Sequence, residues 1–197
     1  MDFSFLPESG LTAIDIETTG LSPRRCKIVE IAALKRLPDG RTEEFATLVD
    51  PRVRIPPSST AIHGITDAMV KGAPTADEAA ARLLDFVGES HVAAHNAKFD
   101  LGFLTPIVKA LRREWQSPAA FDTVRIARLA YPGLKSYSLE NLSAFLDFER
   151  GGHHRALADC AYCEQLFSMA YARLRPADFA TFARDNSESP ALLGREE

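Results

Sequence analysis

Three segments with strand character follow one another closely near the start of the chain, and this succession limits the possible folds more than any other feature. Residues 11–17 are rich in Leu, Ile and Thr, and residues 27–36 and 43–49 are two further strand candidates. The turn sequence Pro-Asp-Gly at 38–40 separates the last two segments and favours a tight reversal. The sequence therefore predicts a three-stranded antiparallel meander.

Helical patterns dominate the rest of the chain. Thr75 and Glu78 have the spacing of a capping box, and the apolar residues behind them recur with helical periodicity as far as Val87. Residues 91–95 have the character of a short strand. Further helices are predicted over residues 99–111, 124–129, 139–146 and about 155–174. This order predicts an α/β fold whose mixed sheet combines the antiparallel meander with parallel strands and carries helices on both faces.

The size and composition of the chain are those of an ordinary globular domain. Its 197 residues are 46% hydrophobic and 25% charged, which suffices for one core. The prediction is a single domain over residues 1–175. Residues 176–197 turn polar and are predicted to form a short, partly flexible C-terminal extension with a frayed end.

The N-terminal sequence, the apolar runs and the cysteines indicate in which cellular compartment the protein is expected. The N-terminus lacks a basic region followed by an apolar core, and no apolar run approaches the ~20 residues of a membrane span. Three cysteines, an odd number, fit a reducing environment. Cys160 and Cys163 fall within a predicted helix without a second cysteine pair, so packing is favoured over metal binding. The prediction is a cytoplasmic protein without a membrane partner.

Four carboxylates stand at the ends of predicted elements. Asp15 and Glu17 lie two positions apart on the first strand, so both point to the same face. Asp100 lies in the first turn of one helix and Asp159 in the first turns of another. Alone, either aspartate could simply favour the helix dipole. Two carboxylates as close as the strand pair, however, ionise together only with a cation between them.

Three motifs contain these acids, and their order carries a family resemblance. The motifs are DIETTG at 15–20, HNAKFD at 95–100 and HRALAD at 154–159. Together they resemble the three motifs of the DEDDh family of 3′–5′ exonucleases, which includes the proofreading epsilon subunit of DNA polymerase III and RNase T. IHGIT at 62–66 and YSLENL at 137–142 are similar to epsilon-type segments. The resemblance implies a ribonuclease H-like fold.

The resemblance also implies the catalytic residues. Asp15, Glu17, Asp100 and Asp159 correspond to the family's acidic metal-site residues, and His154 corresponds to the histidine of the final motif. The implied cofactors are two Mg²⁺ or Mn²⁺ ions, which suit carboxylate oxygens and can activate water while holding the leaving oxygen. Histidine, with an ordinary pKa of about 6.5, is suited to be the general base for that water.

Substrate contacts are implied at seven further positions. The resemblance places them at Thr18, Gly20, Ile62, His63, His95, Asn96 and Phe99. Two of these positions have a competing structural interpretation, because Phe99 lies on an apolar helix stripe and Asn96 could be only a helix cap.

The predicted activity is metal-dependent hydrolysis of phosphodiesters from the 3′ end of DNA or RNA, releasing nucleoside 5′-monophosphates. The alternatives are an RNA-directed exonuclease similar to RNase T or oligoribonuclease, and a catalytically silent nucleic-acid-binding module. A net charge of −4 is unusual for a protein that binds nucleic acid, but divalent cations would offset it. The expected partner is a single-stranded or frayed 3′ end. A DNA polymerase is a further candidate, although the tethering tail of an epsilon subunit is not expected here.

Overall fold

The computed structural model describes residues 3–148 and 155–194 of the chain. The strands in this part are β1 (Leu11–Thr18), β2 (Ile28–Arg36), β3 (Thr42–Leu48), β4 (His91–Ala94), β5 (Ala120–Asp122) and β6 (Ser187–Glu188). The helices in this part are α1 (Pro57–His63), α2 (Asp67–Val70), α3 (Ala76–Val87), α4 (Ala97–Ala110), α5 (Thr123–Ala130), α6 (Leu139–Phe145), α7 (Ala156–Leu174), α8 (Phe179–Asn186) and α9 (Pro190–Leu193).

The strands form one mixed sheet in the order β3–β2–β1–β4–β5–β6. β1, β2 and β3 pair antiparallel and form the predicted meander, whereas β4 is parallel to β1 and β5 is parallel to β4. β6 pairs antiparallel with β5 at the far edge. Because β1 and β4 are parallel, the chain leaves both strands at the same edge of the sheet.

Helices cover both faces of this sheet, as the sequence predicted. α5, α6, α7 and α8 share a buried cluster with Leu11 and Ala13 of β1. α3 and α4 share a second cluster with Ile14 and Ile16, on the opposite face. Side chains alternate along a strand, so the row that begins at Leu11 continues toward α7 through the next odd-numbered positions. The acidic pair of β1 therefore faces α7. No helix in the described ranges has the length and apolarity of a bilayer span.

The strongly patterned elements are confirmed, and their ends differ from the predicted ones by at most two residues. The capping box of α3 is formed as predicted. Thr75 Oγ1 accepts a hydrogen bond of 3.3 Å from Glu78 N–H, and Glu78 Oε2 accepts one of 2.8 Å from Thr75 N–H. Reciprocal bonds of this kind satisfy two donors that the start of a helix leaves free.

The segment after α7 differs from the prediction of a frayed tail. Residues 187–194 contain β6, which pairs with β5, and α9, which packs against α4. α8 places Phe182, only 3% exposed, in the buried cluster beside α7. Short polar segments carry little periodic signal, so this packing depends on neighbours that local sequence does not reveal. The division at residue 175 remains a prediction.

Candidate active site

The end of β1 and the start of α7 bring three carboxylates together. One oxygen from each of Asp15, Glu17 and Asp159 lies within 4.8 Å of the others, and all three residues are partly buried. The first two project from one face of β1, and Asp159 comes from the first turn of the helix packed on that face. The structure therefore unites three of the four acids that the motifs predicted.

Asp100 reaches the same edge of the sheet from α4, on the other face. It is only 2% exposed, and its Oδ1 accepts a hydrogen bond of 3.1 Å from Ile16 N–H. Among the described residues, the 4.8 Å group does not include Asp100. Asp100 nevertheless lies close enough to Asp15 to raise the pKa of that carboxyl. The fourth predicted acid thus adjoins the three-carboxylate group.

Burial and repulsion from neighbouring acids raise the pKa values of Asp15, Glu17 and Asp100 when no cation lies between the carboxylates. Burial is the largest cause for Asp15, whose pKa lies well above its ordinary value, and for Asp100, which is shifted in the same direction. The pKa of Glu17 rises from 4.5 to about 7, through burial first and then through Asp159 and Glu30. A cation among these groups would favour their ionised forms and reverse the shifts.

The donor set suits a hard divalent cation, because every donor atom of the 4.8 Å group is a carboxylate oxygen. Soft ligands are not offered by the nearby cysteines. Cys160 and Cys163 are buried, and burial holds the pKa of both thiols well above the ordinary value. Thiolates, the metal-binding form, are therefore disfavoured there, which agrees with the packing role predicted for both residues.

Two charged residues at this site were not predicted. Glu30 lies on β2 directly opposite Glu17 in the sheet register and is 4% exposed. Arg155, at the start of α7, donates from Nη2 to Glu30 Oε1 at 2.9 Å. The sequence signal for this pair is a lone glutamate within the apolar strand KIVEIAAL, because a buried carboxylate requires a partner.

The predicted general base, His154, lies outside the described residues, together with the rest of segment 149–154. The described chain resumes at Arg155, whose side chain is at the acidic site. The role of His154 therefore stays a prediction.

The turn after β1, which carries the predicted contacts Thr18 and Gly20, is held beside the acids by internal bonds. Thr18 Oγ1 donates to Gly20 O at 2.7 Å. Thr19 N–H donates to Lys27 O at 2.8 Å, and Lys27 N–H donates to Thr19 Oγ1 at 2.9 Å. Gly20 has a φ of +153°, and a Cβ there would lie 2.8 Å from Cys26 Sγ. The turn therefore requires glycine at this position.

The predicted contacts Ile62 and His63 end α1 and differ in exposure. Ile62 is 61% exposed and offers an apolar surface to solvent, whereas His63 is 4% exposed. His63 Nδ1 accepts a hydrogen bond from Ile65 N–H at 3.0 Å, and burial lowers the pKa of the imidazole. Nε2 of His63 is buried and has no partner of ideal hydrogen-bond geometry among the described residues, while the backbone of Thr18 lies close enough to offset part of the pKa shift. Contact of either residue with substrate stays a prediction.

His95 is held on both sides of its ring. Its Nδ1 lies 3.0 Å from Thr123 Oγ1, and its Nε2 lies 2.9 Å from the carbonyl oxygen of Tyr137. Two motifs that the sequence analysis selected, HNAKFD and YSLENL, are thereby joined. A substrate contact from His95 stays a prediction, and both ring nitrogens already have partners within the protein.

Asn96 and Phe99 lie at the start of α4. Asn96 occupies the N-cap position with a φ of +67°, but its side chain makes no capping hydrogen bond and the residue is exposed. Phe99 is partly buried at the edge of the second core cluster, with its ring centroid 5.2 Å from that of Phe103. The capping interpretation of Asn96 therefore lacks its hydrogen bond, while the core interpretation of Phe99 holds in part.

The mixed sheet with helices on both faces and the three-carboxylate group form a fold with a candidate cation site, and comparison with known proteins identifies the family. The exonuclease family profile matches residues 12–167, most of the chain. The DNA polymerase III subunit epsilon of Aquifex aeolicus is 34% identical over 163 residues, covering 82% of this chain and 80% of that protein. The chain therefore belongs to the exonuclease family, which confirms the predicted enzyme class.

Further relatives and solved structures are similar to this chain over part or nearly all of their length. The PolC-type DNA polymerase III of Clostridium perfringens is 39% identical over 162 residues, but the match covers 82% of this chain and only 11% of that protein. Exonuclease X in complex with 5′-overhanging duplex DNA superposes with a TM-score of 0.67 and 28% identity, covering 94% of this chain and 99% of its own. The zinc-bound E. coli exonuclease I complex with single-stranded DNA shares the fold, with a TM-score of 0.74, 20% identity and coverage of 86% and 42%.

Proposed function

We propose that this protein is a metal-dependent 3′–5′ exonuclease that shortens DNA from its 3′ end and releases nucleoside 5′-monophosphates. The observation that carries the proposal is the convergence of Asp15, Glu17 and Asp159 within 4.8 Å, with Asp100 buried beside them. The names of the relatives support DNA as the substrate, since they include a DNA polymerase subunit and an exonuclease solved with duplex DNA.

We assign the four acids to two Mg²⁺ or Mn²⁺ ions. When bound, such a pair supplies a water of lowered pKa and offsets charge on the leaving oxygen. The chain itself supplies the placement of the ligands. The sheet fixes Asp15 and Glu17, α7 fixes Asp159, and a hydrogen bond to the backbone of β1 fixes Asp100. Ligands on strands and helices are held more accurately than ligands on loops.

His154 completes the proposal as the general base that takes a proton from the attacking water. It directly precedes Arg155, which contacts the acidic site. General bases contribute ~10²–10⁴-fold to rate, so His154→Ala should lower kcat by about that factor with little change in KM. The rate of the unaltered enzyme should rise with pH through roughly 6–8. A flat pH profile with chemistry limiting would count against this role.

The experiment that tests the function is digestion of 5′-labelled single-stranded DNA, duplex DNA and RNA with Mg²⁺ or Mn²⁺, with EDTA as the control. We expect a ladder of DNA products that shortens from the 3′ end only when the metal is present. Digestion of the RNA but of neither DNA substrate would favour the RNA-directed alternative. Binding of the labelled strands without any cleavage would favour the silent binding module.

A further inference from the structure

The ion pair of Glu30 and Arg155 adjoins the acidic site without belonging to the proposed ligand set. Arg155 Nη2 donates to Glu30 Oε1 at 2.9 Å, and Arg155 Nε donates to Glu30 Oε2 at 3.4 Å. The guanidinium thus holds both oxygens as a fork. The Glu30 side chain is 5% exposed and that of Arg155 is 55% exposed. A carboxylate so held has a defined position on β2.

The same carboxylate caps the start of α7. Ala156 is the first residue of that helix, and its N–H donates to Glu30 Oε2 at 3.3 Å. Arg155, at the N-cap position, makes no side-chain capping bond of its own. Glu30 therefore accepts from one of the N–H groups that the start of a helix leaves without an intrahelical partner. Its negative charge also lies at the positive end of the helix dipole.

The start of α7 determines where Asp159 points. Asp159 lies in the first turn, and its N–H donates to Arg155 O at 3.2 Å. A shift of the helix by one residue would rotate that side chain by about 100°. Glu30 is also paired directly with Glu17 across β1 and β2. The pairing of β1 with β2 therefore holds Glu17 directly. It also holds Asp159 indirectly, because Glu30 of β2 binds the start of α7.

We propose that Glu30 and Arg155 are positioning residues for the metal site, locking the start of α7 so that Asp159 meets Asp15 and Glu17. This inference rests on the proposed function, in which those three acids hold a divalent cation. Both oxygens of Glu30 are engaged by the helix start, and among the described residues the 4.8 Å group does not include it. Glu30 therefore acts on the ligands without being one.

The positioning role of Arg155 can be separated from a purely electrostatic effect of its charge. The two predict changes of opposite sign in cation affinity when Arg155 is replaced. Removal of a positive charge beside the site should strengthen the binding of another cation. Loss of a positioning residue should weaken it, and residues that orient metal ligands typically contribute ~10–100-fold to metal affinity. The double variant Glu30→Gln with Arg155→Gln changes no net charge, so electrostatics alone predicts little effect.

The test is calorimetric titration of the whole chain with Mn²⁺ in the absence of nucleic acid. We expect Arg155→Gln to weaken Mn²⁺ binding by about tenfold or more. We expect the same weakening in the double variant, which does not leave the buried carboxylate of Glu30 without its partner. The matched control is Arg36→Gln with Glu164→Gln, which removes a second glutamate–arginine pair of α7, 2.9 Å long with Glu164 2% exposed. The control should bind Mn²⁺ like the unaltered protein, and thermal unfolding of both double variants compares their stability.

Each outcome decides a different question. Unchanged or tighter Mn²⁺ binding by both the single and the double variant overturns the positioning role and leaves the proposed function standing. Equal weakening in the Arg36 and Glu164 control also overturns it, because the loss then follows from a general loosening of α7. Failure of the unaltered protein to bind Mn²⁺ refutes the proposed function itself, and this inference with it.

Discussion

Asp15 is surrounded by like charges, since neighbouring acids add to burial in raising its pKa. Asparagine keeps the shape of this side chain while removing a charge and a ligand oxygen. We expect Asp15→Asn to abolish Mg²⁺-dependent digestion. In EDTA the same variant should unfold at a higher temperature than the unaltered protein, because repulsion and the burial of a charge are both relieved.

Digestion of a 5′-labelled single strand and thermal unfolding in EDTA measure the two halves of this prediction. Persistent Mg²⁺-dependent activity would refute the metal assignment of Asp15. An unfolding temperature below that of the unaltered protein would show that the residue has a stabilising role unrelated to the cation.

Glu17 reverses the pH dependence that glutamates usually bring to stability. Its pKa rises from 4.5 to about 7 on folding, so the folded protein holds this proton more tightly than the unfolded chain. The contribution of protonated Glu17 to the free energy of unfolding is therefore complete below pH 4.5 and is lost as the pH rises through about 7. In EDTA, the unfolding temperature of the unaltered protein should fall between pH 5 and 7 relative to Glu17→Gln, by roughly 3–8 °C. Parallel curves for the two proteins in that window would contradict the assignment.

The four acids could be selected from the sequence because the three motifs that contain them resemble those of the DEDDh exonucleases, and local periodicity accounts for only part of their placement. Strand alternation relates Asp15 to Glu17, and helix starts mark Asp100 and Asp159. The contact of Arg155 with Glu30 joins positions 125 residues apart. It depends on sheet register and on the docking of α7, neither of which is encoded in local spacing. The inward orientation of His63 is likewise set by its burial against neighbouring elements.

At the scale of elements, the capping box of α3 offers a test that separates stability from catalysis. α3 packs on the face of the sheet away from α7 and the acidic pair. We expect Thr75→Ala to lower the free energy of unfolding by ~1 kcal/mol and to leave kcat unchanged. Urea denaturation measures the first quantity and DNA digestion the second. Thr75→Ser, which keeps the hydroxyl, is the control, and an equal loss in both variants would show that the capping bond is not the cause.

Elements with a long, regular pattern were the ones that sequence could predict. α3 and α7 have caps or apolar stripes over several turns, and the strands of the meander are bounded by turn residues. β5 is three residues long and β6 is two, too short for any periodicity to be read. Both exist because the sheet offers them a partner strand, a condition that lies outside their own sequence.

For the whole molecule, the segment after α7 is part of the main core. Phe182 is 3% exposed, and its ring centroid lies 5.8 Å from that of Phe121 and 5.0 Å from that of Tyr171. We expect Phe182→Ala to lower the free energy of unfolding by ~3–5 kcal/mol, and truncation after Arg175 to cost at least as much. Denaturant unfolding measures both. Phe145→Ala, at a ring that is 56% exposed, is the control and should change stability by ~0.5 kcal/mol or less.

A truncated protein as stable as the full chain would instead support residues 176–197 as a short, partly flexible extension, as the sequence predicted. The expectation is the reverse, because removal of α8 uncovers the aromatic cluster around Phe121, and removal of β6 leaves one edge of β5 unpaired. Exposed apolar surface and an unpaired strand edge both favour aggregation.

The three-carboxylate group takes its members from the first strand and the last long helix, so an unfolded chain contains no such site. A ligand that binds only the folded state stabilises it in proportion to the logarithm of its concentration, by ~2.7 kcal/mol at a hundred times Kd. Under the proposed function, the cation is therefore a removable cross-link between distant parts of the domain. The supply of Mg²⁺ would then set how long each molecule survives as well as how fast it works.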